Sequence, residues 1–153
     1  MKQTMMKYLG VVAIAMMLAP AVSRAQQTQV VELPVVVDTP FVHDPVMAYE
    51  NGKYYLYCTG HGITQMISND RKHWTLSAEG VLKNEQIPAW THDSVPGFTT
   101  HIWAPDIIKY RGKWYMAYSC STFGKNTSAI GLLSNTSLSN KDDWKDEGCL
   151  VAS

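Results

Sequence analysis

The chain has 153 residues, and its 13 lysine and arginine side chains balance 13 aspartate and glutamate side chains. Three of the basic residues fall within the first 25 positions, so residues 26–153 carry 10 basic and 13 acidic side chains and a net charge of −3. Because no basic patch is present, the composition excludes nucleic acid and acidic polymers as partners.

The first 25 residues have the layout of a secretory signal peptide. Lys2 and Lys7 precede an apolar run at 9–19, and small residues stand at positions 23 and 25. Such a run is too short for a stable membrane anchor. We therefore predict a secreted or periplasmic protein, cleaved after Ala25, with no membrane span in the mature chain.

Cysteines and histidines form no recognisable site in the sequence. The three cysteines are odd in number and far apart, so they give no disulfide framework. Cys58 and Cys120 end apolar runs, where small buried hydrophobes are expected. The five histidines lack the short paired spacings of a zinc site. We predict no cofactor and no metal site in this chain.

An aromatic segment occurs twice in the chain. Asn-Gly-Lys-Tyr-Tyr-Leu-Tyr at 51–57 returns as Arg-Gly-Lys-Trp-Tyr-Met-Ala-Tyr at 111–118, 60 residues later at the shared Gly-Lys. A short apolar run precedes each copy, at 46–49 and at 107–110. This arrangement is typical of two β-hairpins that turn at the Gly-Lys pairs.

The similarity continues through two further runs after each hairpin. Residues 66–69 correspond to 132–135, and each copy then reaches a closing run, at 79–82 and at 147–151. No helical periodicity lies between these runs. Two repeats of four short strands predict an all-β fold made of propeller blades.

The composition of the strands supports the propeller, and the repeat divides the chain into segments. Both faces of the second strand in each repeat are apolar or aromatic, as expected for a sheet packed between two neighbouring sheets. We assign 26–40 to an N-terminal extended segment, 41–97 to the first blade with its connecting loop, and 98–153 to the second blade. Because a propeller needs four or more blades, we expect this chain to be the front part of a longer protein.

Three motifs follow one another in this frame. They are Val-His-Asp-Pro at 42–45, Phe-Thr-Thr-His-Ile-Trp-Ala-Pro-Asp-Ile at 98–107 and Phe-Gly-Lys-Asn-Thr-Ser-Ala-Ile-Gly at 123–131. Together they resemble glycoside hydrolase family 43, and most of all its endo-acting arabinanases, from about residue 41 to the end. One departure is Thr100, where relatives often have glycine; we expect no effect on the chemistry.

The resemblance implies a five-bladed propeller that cleaves α-1,5-linked arabinofuranose in arabinan, a neutral plant polysaccharide, with inversion of configuration. It makes Asp44 the general base. Inversion needs one ionised carboxylate to activate water and a protonated one roughly 6.5–9.5 Å away. The general acid and the acid that tunes its pKa are expected beyond residue 153. A structural ion on the propeller axis of the full-length protein stays open.

Asp44 stands directly before the first predicted inner strand, which would aim its carboxylate at the propeller axis. An Asp-Pro pair that merely begins a strand is the alternative. Asp106 lies six residues before Gly112, whereas Asp44 lies eight before Gly52. Asp106 is therefore out of register, and we predict that it fixes the start of its strand.

Several residues are predicted to bind the sugar chain. An aromatic face suits the apolar side of a furanose ring, and the resemblance implies that the loop at 123–127 contributes to sugar binding near the cleavage point. A core position between blades is the alternative for Trp103, and a plain hairpin turn is the alternative for the loop at 123–127. Gly124 is expected to let the backbone approach the sugar. The predicted substrate-binding residues are Asp44, His101, Trp103, Phe123, Gly124 and Asn126.

Two other functions stay open. One is a sibling activity within the family, an exo-acting arabinofuranosidase or a β-xylosidase; the loop at 123–131 favours the endo enzyme. The other is a non-catalytic carbohydrate-binding fragment, because the chain carries a base but no general acid. We expect residues 26–153 alone to be inactive, since general acid and base each contribute about 10²–10⁴-fold.

Overall fold

Two five-stranded antiparallel sheets make up residues 35–153, the part of the chain that the computed structural model describes. The predicted signal peptide at 1–25 and residues 26–34 lie outside the described residues. The strands are β1 Val35–Val37, β2 Val46–Glu50, β3 Lys53–Cys58, β4 Gly60–His61, β5 Thr64–Ser68, β6 Trp74–Leu76, β7 His101–Tyr110, β8 Lys113–Ser121, β9 Ser128–Asn135 and β10 Lys145–Ala152.

The two predicted hairpins are confirmed as β2–β3 and β7–β8, but each turn lies one residue before the predicted Gly-Lys pair, because Lys53 and Lys113 already belong to strands. Asn51 and Gly52 have φ values of 51° and 81°, and Arg111 and Gly112 have φ values of 47° and 82°. Positive φ at both central residues is the mark of a type I′ turn, whose twist matches that of the flanking strands. The repeat therefore extends to the backbone conformation of the turns.

The first sheet has the order β1-β6-β5-β3-β2, and the second has the order β10-β9-β8-β7-β4. The second sheet closes with β10, which contains the predicted run at 147–151. The first sheet gains β1 from the N-terminal segment, a pairing that the sequence did not indicate. The all-β prediction is confirmed at the level of these antiparallel sheets.

The predicted closing strand at 79–82 is wrong. The strand in that place is β6, which pairs with both β5 and β1. The backbone at 81–82 instead crosses the turn before β5, where the Val81 and Leu82 N–H groups donate to the Ile63 and Gly62 carbonyls at 2.9 and 2.8 Å. Both side chains are buried, so the run is apolar without being a strand.

A buried carboxylate connects the two sheets. Glu50 ends β2, and its side chain is only 7% exposed. Oε1 accepts hydrogen bonds from Trp114 Nε1 and Lys109 Nζ, and Oε2 accepts from Ser137 Oγ and Leu138 N, all at 2.6–3.0 Å. Burial raises the pKa of Glu50, but these four donors outweigh burial and lower it to about 2. The carboxylate therefore stays ionised between the sheets.

The core lies between the sheets and is rich in aromatic side chains. Tyr55 and Tyr57 of β3 belong to the same buried cluster as Trp114 and Met116 of β8. A short helix, α1 Trp90–Ser94, and two 3₁₀ turns, Asn84–Gln86 and Lys141–Asp143, fill the connections. Within residues 35–153, no helix has the length and apolar character needed to cross a membrane.

Candidate active site

A cavity of about 650 Å³ opens where the inner strands begin and the second strands end. The chain reaches it just before β2, just after β3, at the start of β7 and at the end of β8. Strand β4 follows β3 of the first sheet after one residue and pairs with β7 of the second sheet beside the cavity. Gly60 pairs with Ile102, and His61 pairs with His101. Residues distant in sequence are thereby brought to one surface. Those discussed below are Phe41, His43, Asp44, Thr59, His101, Trp103 and Phe123.

Asp44 presents a partly exposed carboxylate to this cavity. Its backbone is left-handed, with φ of 51°, a conformation that aspartate tolerates better than most residues. Oδ2 accepts a hydrogen bond from His43 Nδ1 at 2.7 Å and another from Thr59 Oγ1 at 2.9 Å. Within residues 35–153, Oδ1 accepts no hydrogen bond, and the side chain is 43% exposed. One oxygen is held by two hydrogen bonds, and the other has none within residues 35–153.

Both hydrogen bonds to Asp44 favour its ionised form. The His43 ring lowers the pKa of the Asp44 carboxyl most, and the Thr59 hydroxyl lowers it further against a small opposing effect of burial. Asp44 is therefore a carboxylate at neutral pH. A solvent-facing carboxylate with one free oxygen can accept a proton from a water molecule.

Aromatic rings form one wall of the cavity. The Trp103 and Phe123 rings meet edge to face, with centroids 6.3 Å apart. Phe123 is 90% exposed, and Trp103 is only half-buried, so neither ring is a core residue in residues 35–153. Phe41, which is 95% exposed, also borders the cavity. Phe41 was missed because a lone phenylalanine before a strand carries no local pattern.

His101 borders the cavity and packs against a second histidine. The His61 and His101 rings meet at 75°, with centroids 5.3 Å apart. His61 Nδ1 lies 2.9 Å from Thr100 Oγ1, at hydrogen-bond distance. Thr100 therefore contacts His61, which in turn packs against His101 of the cavity. Glycine has no hydroxyl with which to make this contact.

Gly124, Asn126 and Asp106 are not among the residues that line the cavity. Gly124 has φ of 74°, and a Cβ there would meet nothing within 4 Å, so its turn conformation accounts for the glycine. The Asn126 carbonyl accepts a hydrogen bond from Ser153 Oγ. The prediction that Asp106 fixes the start of its strand is wrong, because β7 already begins at His101. Asp106 Oδ1 accepts a hydrogen bond from the Ile107 N–H at 3.0 Å inside that strand. Sugar binding by Gly124 and Asn126 stays a prediction.

The cavity has one carboxylate among the residues that the structure describes, that of Asp44. In residues 35–153, no three histidine, cysteine or acidic side chains group together in a way that could hold a metal ion. Comparison with known protein families matches residues 33–153 to the sequence pattern of glycosyl hydrolases family 43.

The chain belongs to glycosyl hydrolases family 43.

Two similar proteins are named for α-(1→5)-L-arabinose linkages. The chain is 44% identical over 115 residues to an extracellular exo-α-(1→5)-L-arabinofuranosidase of Cellvibrio japonicus, covering 73% of this chain and 32% of that protein. It is 40% identical over 116 residues to an extracellular endo-α-(1→5)-L-arabinanase of Bacillus subtilis, covering 73% and 35%. It therefore spans about a third of the length of these relatives.

A solved structure agrees with the sequence comparison. An exo-1,5-α-L-arabinanase from a bovine ruminal metagenomic library superposes with a TM-score of 0.70 at 51% identity, over 76% of this chain and 38% of that one. The likeness covers most of the described residues of this family 43 chain.

Proposed function

We propose that the complete protein carrying this chain hydrolyses α-1,5-linked arabinan with inversion of configuration, and that Asp44 is its general base. The observation that carries the proposal is the Asp44 carboxylate, with Oδ2 held by two donors and Oδ1 free in a cavity with aromatic walls. Relatives named for α-1,5-arabinan support the choice of substrate.

The geometry of Asp44 suits the base of an inverting hydrolase. Its lowered pKa keeps the carboxylate ionised at the pH of an extracellular or periplasmic setting. Oδ1 would take a proton from water as the water attacks the anomeric carbon. A protonated acid, roughly 6.5–9.5 Å from Asp44, must then donate to the leaving oxygen. The rest of the protein would supply that acid.

A ring of five blades would place that acid near Asp44. Both inner strands expose apolar side chains, including Met47 and Tyr49 of β2 and Ile108 and Tyr110 of β7. Exposed apolar faces of this kind are expected where further sheets pack. In such a ring the inner strands of all blades begin around one axis, and acids from later blades would meet Asp44 there.

Sugar binding would rest mainly on the aromatic wall. Trp103 and Phe123 offer faces on which the apolar side of a furanose ring can pack. Neutral arabinan also fits the charge of residues 26–153, since no basic surface is needed to bind it.

An exo-acting enzyme is the second candidate. The loop at 123–131 favours internal cleavage, but two of the relatives described above are named as exo-acting, at 44% and 51% identity. The two modes differ in their products, because internal cuts release a range of oligosaccharides, whereas an exo enzyme releases one short product from chain ends. A time course of products from linear arabinan, resolved by chromatography, separates them.

Stereochemistry tests the mechanism in the same reaction. Proton NMR of the first product, recorded before mutarotation, shows β-arabinofuranose at the new reducing end if hydrolysis inverts. An initial α product would refute the inverting base. Binding of linear arabinan without release of reducing sugar would identify a non-catalytic module instead. Release of xylose from aryl β-xyloside, without action on arabinan, would identify a β-xylosidase.

A further inference from the structure

We propose that Thr59 is a positioning residue that links the backbone of the second sheet to the carboxylate of Asp44. The inference rests on the proposed function for the role of Asp44 as a base. Thr59 follows β3 of the first sheet, and its hydroxyl lies between two groups. One is Asp44 Oδ2, and the other is the backbone N–H of Ala104 in β7 of the second sheet.

The Thr59 hydroxyl has its direction fixed by this arrangement. Ala104 N–H donates to Thr59 Oγ1 at 3.0 Å, and Thr59 Oγ1 donates to Asp44 Oδ2 at 2.9 Å. A hydroxyl has one proton to give and two lone pairs with which to accept. Because the Ala104 N–H already donates to this oxygen, the hydroxyl proton is left to point at the Asp44 carboxylate. Linked hydrogen bonds of this kind strengthen one another.

Thr59 also joins the two strained backbone positions of the site. Asp44 has φ of 51° and Ala104 has φ of 45°, and each precedes a proline. Ala104 lies eight residues before Gly112, as Asp44 lies eight before Gly52, so the two are equivalent in the repeat. Left-handed residues other than glycine persist only where their surroundings hold them. One side chain holds both.

The backbone of Thr59 fixes the other side of the same turn. Thr59 N–H donates to the His43 carbonyl at 3.0 Å, directly before Asp44. Threonine is stiff at χ1 because it is branched at Cβ, so its hydroxyl is presented with little freedom. Holding Oδ2 in this way aims Oδ1 at the cavity, where a water molecule would lie.

We therefore expect two linked effects when the Thr59 hydroxyl is removed. The Asp44 carboxylate loses a donor that favours its ionised form, so the acidic limb of activity moves to higher pH. The carboxylate can also turn away from the attacking water, and misplacement of about 1 Å can cost up to about 10²-fold in rate. The other titratable side chains that line the cavity in the described residues are those of His43 and His101. Substitution of Thr59 replaces neither residue.

The test compares Thr59→Val and Thr59→Ser in the complete protein. Valine keeps the shape without the hydroxyl, and serine keeps the hydroxyl. Thr75→Val, at a half-buried position in β6 away from the cavity, controls for the loss of a threonine. The measurement is kcat and KM on linear arabinan as a function of pH. We expect Thr59→Val to lower kcat about 10- to 100-fold, with KM little changed and the acidic limb at higher pH. Thr75→Val should keep the wild-type profile, and Thr59→Ser, which keeps the donor on a less restrained side chain, should keep the acidic limb and most of kcat.

An unchanged acidic limb in a folded Thr59→Val variant would overturn the positioning role. So would a Thr59→Ser variant as impaired as Thr59→Val. Asp44→Asn separates this failure from failure of the proposed function, because full turnover by Asp44→Asn would refute the base alone. In that event, ¹³C NMR titration of Asp44 decides the inference: a higher carboxyl pKa in Thr59→Val supports the link, and an unchanged pKa overturns it.

Discussion

Replacing Glu50 with glutamine should destabilise the protein strongly while leaving the cavity residues in place. Glu50→Gln keeps the size of the side chain but removes its charge and turns one acceptor into a donor. The new NH₂ group would face donors that now point at the carboxylate, from Trp114 and Lys109 on one side or Ser137 and Leu138 on the other. At least one of these donors would be left without an acceptor.

The size of the effect follows from the ionisation of Glu50. Its pKa falls from an ordinary 4.5 to about 2, and a difference of this size corresponds to about 3 kcal/mol. A buried donor without an acceptor costs about 1–3 kcal/mol. We expect the free energy of unfolding near neutral pH to fall by about 3 kcal/mol, the lower end of the roughly 3–5 kcal/mol found when a buried charge pair loses one partner.

The same pKa sets the pH dependence. Because the folded pKa of Glu50 lies below the unfolded value, its contribution is complete above about pH 4.5 and is lost as the pH falls toward 2. The wild-type and Glu50→Gln proteins should therefore converge in stability across that window. The assay is urea unfolding of the complete protein, followed by tryptophan fluorescence at several pH values.

The matched control is Glu79→Gln. Glu79 is 56% exposed and contacts Lys83 at 3.4 Å, so its replacement should change the free energy of unfolding by less than about 0.5 kcal/mol. A Glu50→Gln protein as stable as Glu79→Gln near neutral pH would refute the buried link between the sheets. Parallel pH profiles for wild type and Glu50→Gln would refute the ionisation argument.

Three further predictions address packing, substrate and thiols. Gly131→Ala should lower the free energy of unfolding by about 1–3 kcal/mol in a urea titration, because its Cβ would lie 2.5 Å from the buried Tyr118 ring; wild-type stability would contradict the packing. Trp103→Ala should raise KM on linear arabinan more than it lowers kcat, and an unchanged KM would remove Trp103 from the binding wall. Cys58 and Cys120 should resist alkylation by iodoacetamide in the native protein, because burial raises the pKa of both thiols. Rapid alkylation of either cysteine, detected by mass spectrometry, would contradict that burial.

The repeated hairpins could be predicted from sequence because their signals are local. The Gly-Lys pairs place the turns to within one residue of Asn51-Gly52 and Arg111-Gly112, and the aromatic strands behind them need only neighbouring residues to be recognised. The position of Asp44 before a strand followed from the same frame. His101, Trp103 and Phe123 line the same cavity as Asp44, and their binding of sugar stays a prediction.

Long-range pairings account for what the sequence did not indicate. Thr59 contacts Ala104, 45 residues later, and Glu50 contacts Leu138, 88 residues later. Strand β1 completes the first sheet only through β6, and the run at 79–82 is apolar because it is buried under a turn. Burial of a loop and burial of a strand select the same residue types, so periodicity cannot separate them.

Turnover by Asp44→Asn tests the central claim most directly. Asparagine keeps the shape of the side chain and its hydrogen-bonding reach, but it cannot take a proton from water. In the complete protein, we expect reducing-sugar release from linear arabinan to fall by about 10²–10⁴-fold, while calorimetric binding of an arabino-oligosaccharide persists. Near-normal release by Asp44→Asn would contradict the account, because the catalytic base would then lie elsewhere.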